Sequence, residues 1–357
     1  MKCKFVEYEN FRNIERQRIE FSSGVNVIEG RNAQGKTNCL EGIYLCASGR
    51  SHRTAKDRHF IGFGAEFGRI TLSYEDSRRE NTLEMRFGIT GRKYCSKNGI
   101  AQRKLSEFVG NFKAVLFTPE HLSIVKSGPS ARREFLDAAI SQLSKEYLCS
   151  VQRYEKILAN RNKILQNKDQ LSKSYVKSLT EPYTEMLAKE AEYVGACRKS
   201  YVEALNKSVK NTFDEMTGGK ERVALAYSDI YKAEELIDLM NANFEKEFAA
   251  RVTLYGTHKD DIEITVNETV ARSFASQGQQ RSIALAMKLA EGNITYRDSG
   301  EEPVYLLDDV LSELDGVRKE FILSSIKGKQ VILTTCDRID SPDACVIHCE
   351  NGVFTRG

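Results

Sequence analysis

Apolar and polar residues alternate from Lys2 to Tyr8, from Arg69 to Tyr74 and from Thr82 to Gly88. A period of two puts one face of a strand in a core and the other in water, so these runs predict β-strands. Gly24-Val25-Asn26-Val27-Ile28-Glu29 is a short apolar run and predicts a buried strand. The Asn-Gly pair in Lys97-Asn98-Gly99 predicts a tight hairpin turn. The first 115 residues thus read as strands and turns around one helix.

The pattern changes near Thr118. Ala131 to Ala139 reads as helical. Between Lys145 and Phe213 apolar residues recur at helical spacing, first Leu148, Val151, Tyr154 and Leu158, then Leu187, Ala191, Val194, Tyr201, Leu205 and Val209. Pro182 is expected to separate two long helices. A coiled-coil arm wants three or four unbroken heptads per helix, so this stretch predicts a compact helical lobe. Strand patterns return at Val223 to Tyr227 and Ile262 to Val266, followed by a helix from Gln279 to Glu291 and buried strands at Val304 to Leu307 and Val331 to Thr334. Repeats and low-complexity segments are absent. The expected division is 1–117, an inserted helical lobe at 118–221, and 222–357.

Composition sets bounds on this picture. A chain of 357 residues, 41% hydrophobic and 29% charged, has the length for two or three domains with real cores. It lacks a run of eighteen apolar residues, so no transmembrane helix is expected. The stretch Met1-Lys2-Cys3-Lys4-Phe5 does not resemble a signal peptide. Nine scattered cysteines, an odd number, suggest reduced thiols and a cytoplasmic location. Cys345, His348 and Cys349 fall in an alternating run and read as strand packing, because a zinc site needs about four ligands.

The net charge of +3 is small, but its distribution is uneven. Arg50, His52, Arg53, Lys56, Arg58 and His59 fall close together, followed by Arg78, Arg79, Arg92, Lys93, Lys97, Arg103 and Lys104. Such clusters can follow a phosphate backbone. They can equally be a solvated charged face, and the first cluster follows a phosphate-binding motif closely enough to serve a nucleotide instead.

That motif is Gly30-Arg31-Asn32-Ala33-Gln34-Gly35-Lys36-Thr37. It has P-loop spacing, follows a predicted strand and opens a helix containing Leu40, Ile43 and Tyr44. Glycines let backbone N–H groups close around phosphates, and the helix N-terminus adds a positive dipole. Lys36 reaches the terminal phosphates, and Thr37 offers a hydroxyl to Mg²⁺. Pro303-Val304-Tyr305-Leu306-Leu307-Asp308-Asp309 is an apolar strand ending in two carboxylates, the Walker B arrangement. There Asp308 is expected to hold Mg²⁺ and Asp309 to orient or activate water. The two motifs lie about 270 residues apart, as in ABC and SMC heads with an insertion between the halves.

Ala275-Ser276-Gln277-Gly278-Gln279-Gln280-Arg281 heads a helix about thirty residues before Walker B. Ser276 suits an N-cap, and Gly278 permits close backbone approach. The place is that of the ABC signature motif, which binds the γ-phosphate held by an opposite protomer. Ser312-Glu313-Leu314-Asp315 follows in the place of a D-loop, and Thr334-Thr335-Cys336-Asp337 stands where other ABC ATPases carry a switch histidine.

With these motifs, the chain resembles the RecF family of ABC-type ATPases along its whole length. The resemblance rests on Phe11-Arg12-Asn13-Ile14, Gly49-Arg50-Ser51-His52-Arg53-Thr54, Gly128-Pro129-Ser130-Ala131-Arg132-Arg133-Glu134-Phe135-Leu136-Asp137, the string from Ser276 to Arg281, and Leu307 to Asp315. It implies an α/β fold, an ABC/SMC-type head with an inserted helical lobe, and ATP with Mg²⁺ as cofactors. Arg12, Asn13, Gly278 and Gln279 join the P-loop and Ser276 as nucleotide contacts, with Asp309, Lys36 and Ser276 as catalytic residues. It further implies a weak DNA-dependent ATPase that dimerises with ATP on single-stranded or gapped DNA. Such a protein works with RecO and RecR to load RecA in recombinational repair and replication restart. Arg50, Arg53, Lys56 and Arg58 are the expected DNA contacts. The alternative is a structural head of SMC or Rad50 type, which the roughly 100 helical residues and the lack of a CxxC zinc hook oppose. One departure stands out: the family's Gly-Pro-His-Arg-Asp-Asp run is Gly256-Thr257-His258-Lys259-Asp260-Asp261 here. Thr257 predicts a looser turn, and Lys259 lacks arginine's bidentate fork.

Overall fold

The computed structural model describes residues 1–53, 56–89, 91, 93–168, 171–228, 230–336 and 344–357. Thr54, Arg92 and Asp337 lie outside them. The first third runs β1 (Lys2–Phe11), β2 (Ile14–Glu20), β3 (Val25–Glu29), α1 (Lys36–Ser48), β4 (Phe67–Glu75), β5 (Glu80–Gly88), β6 (Lys93–Lys97), β7 (Ile100–Ala101), α2 (Leu105–Phe108) and β8 (Ala114–Phe117). Helices α3 (Pro129–Leu143), α4 (Lys145–Gln166) and α5 (Lys173–Thr217) follow, then β9 (Val223–Tyr227), α6 (Ala233–Ala242) and α7 (Phe244–Ala250). The remainder comprises β10 (Ile262–Val266), β11 (Thr269–Val270), α8 (Ala271–Phe274), α9 (Gln277–Ser299), β12 (Val304–Asp308), α10 (Gly316–Ser325), β13 (Val331–Thr335), β14 (Cys345–Glu350) and β15 (Val353–Arg356).

One sheet has the order β15-β14-β3-β13-β12-β8, parallel except at β15. Three adjacent inner strands, β3, β13 and β12, read Val-Asn-Val-Ile-Glu, Val-Ile-Leu-Thr-Thr and Val-Tyr-Leu-Leu-Asp and are buried almost throughout. Apolar runs of this kind suit a sheet covered on both faces. Strands from the two ends of the chain interleave here. β3 pairs with β13 and β14, and β8 pairs with β12. Asp308 pairs with Thr334, and Thr334 with Ile28, so the carboxyl ends of β12, β13 and β3 finish side by side.

A second, antiparallel sheet has the order β2-β1-β4-β5-β6-β7. Its alternating inward residues, among them Val6, Tyr8, Ile70, Leu72, Leu83 and Met85, share one core with Cys39, Leu40 and Ile43 of α1. The expected hairpin is present: Asn98 and Gly99 have φ of 50° and 76°, as the primed turn requires. Besides α1, the first 115 residues hold the short α2, only four residues long and too brief to show helical periodicity.

Pro182 does not separate the long helices. It lies inside the 45-residue α5; α4 ends earlier, at Gln166, and Ser172 caps α5 by accepting from the Tyr175 N–H. Pro182 is exposed, so the Ser178 carbonyl left without an N–H partner faces water. The helix is held by its other face, where Leu187, Ala188 and Ala191 pack with Tyr154 and Ile157 of α4 and Leu236 and Met240 of α6. Arg161 and Glu247 form a buried ion pair (2.6 Å) beneath this core, with Thr184 and Thr253 hydroxyls completing the guanidinium's bonds.

The 256–261 turn is an internal joint. Lys259 N–H closes onto Gly256 O (2.9 Å), Arg198 donates to Thr257 O (2.9 Å), and Arg132 grips Asp261 through two bonds (2.6 and 2.8 Å). Thr257 is buried, while Lys259 is exposed.

Candidate nucleotide site

The loop between β3 and α1 lies at the carboxyl edge of the parallel sheet, where α/β folds bind ligands. Gly35 caps α1 with φ 117°, and a Cβ there would stand 2.9 Å from Asn13 Oδ1. Only glycine fits without strain. The side chain of Asn13 donates to Gln34 O (3.1 Å) and accepts from Asn38 (2.8 Å), tying the β1–β2 turn to the loop. Gln34 O also accepts from Gly352 N–H (2.8 Å), and Gln34 Oε1 accepts from Asn351 N–H (2.6 Å).

Lys36 is nearly buried, and its Nζ folds into the loop to donate to Gly30 O (2.7 Å) and Arg31 O (3.0 Å). The exposed Cys336 stands 3.5 Å from this ammonium and donates to Asn32 Oδ1 (2.8 Å). It occupies the edge where the sequence placed a switch residue.

Thr37 and Thr334 both donate to Asp308 Oδ1 at 2.9 Å, and Thr334 Oγ1 accepts from Asp309 N–H at 2.9 Å. Burial raises the Asp308 carboxyl pKa, and the hydroxyls of Thr334 and Thr37 oppose that shift. Asp309 has a left-handed backbone, φ 49°. Asp is one of few residue types that adopt this region readily. A hydroxyl and a carboxylate, both hard oxygen donors, fit Mg²⁺, which takes few protein ligands besides phosphate and water.

Behind the loop, Glu41 of α1 is fully buried and held by Arg12 through two bonds (2.9 and 2.8 Å) and by Ser51 Oγ (2.5 Å). Arg53 donates to Asn38 Oδ1 (2.9 Å), next to Thr37, and lies 3.5 Å from Glu41. Arg12 and Arg53 therefore belong to the surroundings of the 30–37 loop. Arg50 instead pairs with Glu155 of α4 through both guanidinium nitrogens (3.2 and 3.1 Å). Lys56 and Arg58 are exposed beside the 57–60 turn. A cleft of about 860 Å³ opens between the end of α1 and helices α3 and α4, and its Arg50, Arg53, Lys93 and Lys288 are paired with Glu155, Glu41, Asp57 and Glu291. Sequence reading passed over Glu41, although a carboxylate amid Cys39, Leu40 and Ile43 signals a buried charge that needs a partner.

The signature-like cap is built as expected but stands apart. Ser276 Oγ accepts from Gln279 N–H (3.2 Å), and Gln279 Oε1 accepts from Ser276 N–H (2.8 Å), a full capping box. Gln279 also donates to Glu221 (2.6 Å), and Arg281 to Glu313 O (2.7 Å). Ser276 is exposed, and among the described residues no bond joins this cap to the 30–37 loop. The nine cysteines are free thiols, and no metal-binding cluster of three or more His, Cys, Asp or Glu occurs among the described residues. Among the described residues no helix is long and apolar enough to cross a membrane.

Residues 2–343 match the family model described as the RecF/RecN/SMC N terminal domain. A protein of Clostridium novyi (strain NT) called DNA replication and repair protein RecF is 39% identical over 362 residues, covering 100% of this chain and 99% of its own. The chain belongs to the RecF family. A like-named relative from Shouchella clausii (strain KSM-K16) is 37% identical, covering 98% of each chain. Among solved structures, that of the recombination mediator protein RecF-ATP in the RecFOR pathway superposes with a TM-score of 0.90 at 33% identity, covering 99% of this chain and 97% of that one. An Smc head domain from Pyrococcus furiosus gives a TM-score of 0.55 at 16% identity, covering 100% of this chain and 96% of that one. The fold is that of an ABC/SMC-type ATPase head.

Proposed function

We propose that this RecF-family chain is an ATP-operated DNA-binding switch of recombinational repair. ATP binding joins two copies on DNA, slow hydrolysis releases them, and the assembly acts with RecO and RecR in loading RecA at gaps. The observation that carries the reading is the meeting of Lys36, Thr37, Asp308 and Thr334 at one sheet edge, although about 270 residues separate the two motifs. Support comes from relatives called DNA replication and repair protein RecF and from a structure solved with ATP in the RecFOR pathway.

In this reading the backbone of residues 30–35 and Lys36 hold the phosphates, with Arg12 and Asn13 bracing the loop. Thr37 and Asp308 would hold Mg²⁺, which neutralises phosphate charge. Asp309 orients the attacking water. Ser276, Gly278 and Gln279 face the nucleotide of a second copy. Residues 1–117 and 222–357 make the head, and 118–221 the inserted lobe. The experiment is gel filtration with ATP and gapped DNA, repeated with purified RecR. A chain that stays monomeric under all these conditions refutes the reading.

The carboxylates divide the work. Asp309→Asn is expected to lower the hydrolysis rate by about a hundredfold or more, the usual worth of a general base, while ATP-bound dimers persist. Asn also tolerates the left-handed backbone at this site, so the turn survives. Asp308→Asn should instead weaken Mg²⁺ binding, seen as a higher Mg²⁺ requirement for both dimerisation and hydrolysis. Identical behaviour of the two variants in a Mg²⁺ titration would refute the division.

DNA contact is assigned to the exposed cations Lys56 and Arg58. Each phosphate neutralised contributes about 0.9 to the slope of log affinity against log salt on duplex DNA. Replacing Lys56 and Arg58 together by Ala should therefore reduce the slope by about 1.8 per chain, with ATP affinity unchanged. An unchanged slope with weakened ATP binding would give the cluster to the nucleotide.

A further inference from the structure

Between the signature-like cap and the 312–315 turn stands Arg318, which neither motif includes. It is the third residue of α10, and Asp315 caps that helix by accepting from the Arg318 N–H at 3.0 Å. The guanidinium does three things at once. Nη2 donates to Gly278 O (2.9 Å), Nε donates to Ser282 Oγ (2.9 Å), and Nη1 binds the Asp315 carboxylate. Gly278 leaves room for it, since a Cβ there would stand 3.0 Å from Nη2. The side chain is largely covered, while Asp315 is half exposed.

We propose that Arg318 is a positioning residue that locks the Ser276–Gln279 cap and the 312–315 turn into one rigid surface presented to the nucleotide of a second copy. The proposal rests on the reading that the cap acts across a dimer. A planar fork with fixed donors satisfies three acceptors on two elements, which a lysine ammonium on a flexible stem does not reproduce. A cap free to shift relative to the turn meets the neighbouring phosphate in the wrong place, and small misplacements cost rate steeply.

The test compares Arg318→Ala and Arg318→Lys with the full-length chain, using Ser276→Arg as control. ATP affinity is measured by calorimetry at protein concentrations where the chain is monomeric. Dimerisation with ATP is followed by sedimentation, and hydrolysis is resolved into kcat and KM. Both Arg318 variants should bind ATP as monomers with unchanged affinity, and should need about ten- to a hundredfold more protein to dimerise, the worth of a lost charge-assisted bond. kcat should fall by a similar factor, with KM for ATP little moved. A general folding defect would lower monomer affinity or active fraction as well, and that outcome refutes the assignment. Wild-type kcat in Arg318→Lys also refutes it, because charge alone would then suffice. If Ser276→Arg still dimerises with ATP, the underlying cross-dimer reading has failed. If that control is dead and Arg318→Ala is fully active, the positioning role alone has failed.

Discussion

Lys36→Ala is expected to lose ATP binding by a factor of about a hundred or more. The Lys36 ammonium is folded into the loop on the carbonyls of Gly30 and Arg31 (2.7 and 3.0 Å), with the sheet behind it. A triphosphate in the cradle offers it a stronger acceptor than either carbonyl, since ionic partners make hydrogen bonds about twice as strong as neutral ones. Losing two such contacts costs about 3 kcal/mol or more at 1.5 to 3 kcal/mol each, and each 1.4 kcal/mol is tenfold in affinity. The fold should survive. Ala is a strong helix former at the first position of α1, and the loop remains tied by Asn13, Asn351 and Gly352. Calorimetry with ATP measures the loss, and the melting temperature without nucleotide serves as control. Undiminished affinity would remove the phosphate role from this loop.

Ser276→Arg is the second large effect. It should abolish ATP-dependent dimers and hydrolysis while leaving the monomer's ATP affinity unchanged. Ser276 is exposed, and its hydroxyl serves its own capping box by accepting from Gln279 N–H. Losing the cap costs about 1 kcal/mol, too little to unfold α9, whose body from Ser282 to Thr295 is mostly buried. A long cation at this surface obstructs any close approach by a second chain. Ser276→Asn, which preserves a capping oxygen, separates the two effects: it should keep the helix cap intact and dimerise better than Ser276→Arg. Dimers of Ser276→Arg at wild-type ATP concentrations would reduce the motif to a helix cap.

The strands and the 30–37 loop were legible because their patterns are local. Alternation in β1, β4 and β5, the apolar runs of β3, β12 and β13, and the spacing from Gly30 to Thr37 all lie within ten residues or fewer. Pro182 misled because proline's local cost says nothing about which face of a helix it occupies. On the exposed face of α5, water replaces the lost bond and packing at Leu187 and Ala191 carries the helix through. The burial of Glu41 and its grip by Arg12 depend on a contact across 29 residues. The reach of Arg318 to Gly278 spans 40. Contacts of this kind leave no periodic trace, and charged residues on short elements look alike whether solvated or braced. The basic run from Arg50 to Arg58 shows the same limit: one stretch of sequence divides into a lobe clamp at Arg50, a loop brace at Arg53 and exposed cations beyond.

The interleaving of β3 between β13 and β14 also sets how this chain must be made. β3 leaves the ribosome early, but both of its neighbours in the sheet lie about 300 residues downstream. At roughly 5 to 20 residues per second, an apolar strand waits about 15 to 60 seconds with both edges unpaired. The 30–37 loop that follows it stays unformed for that time. Closing so distant a pairing is slow.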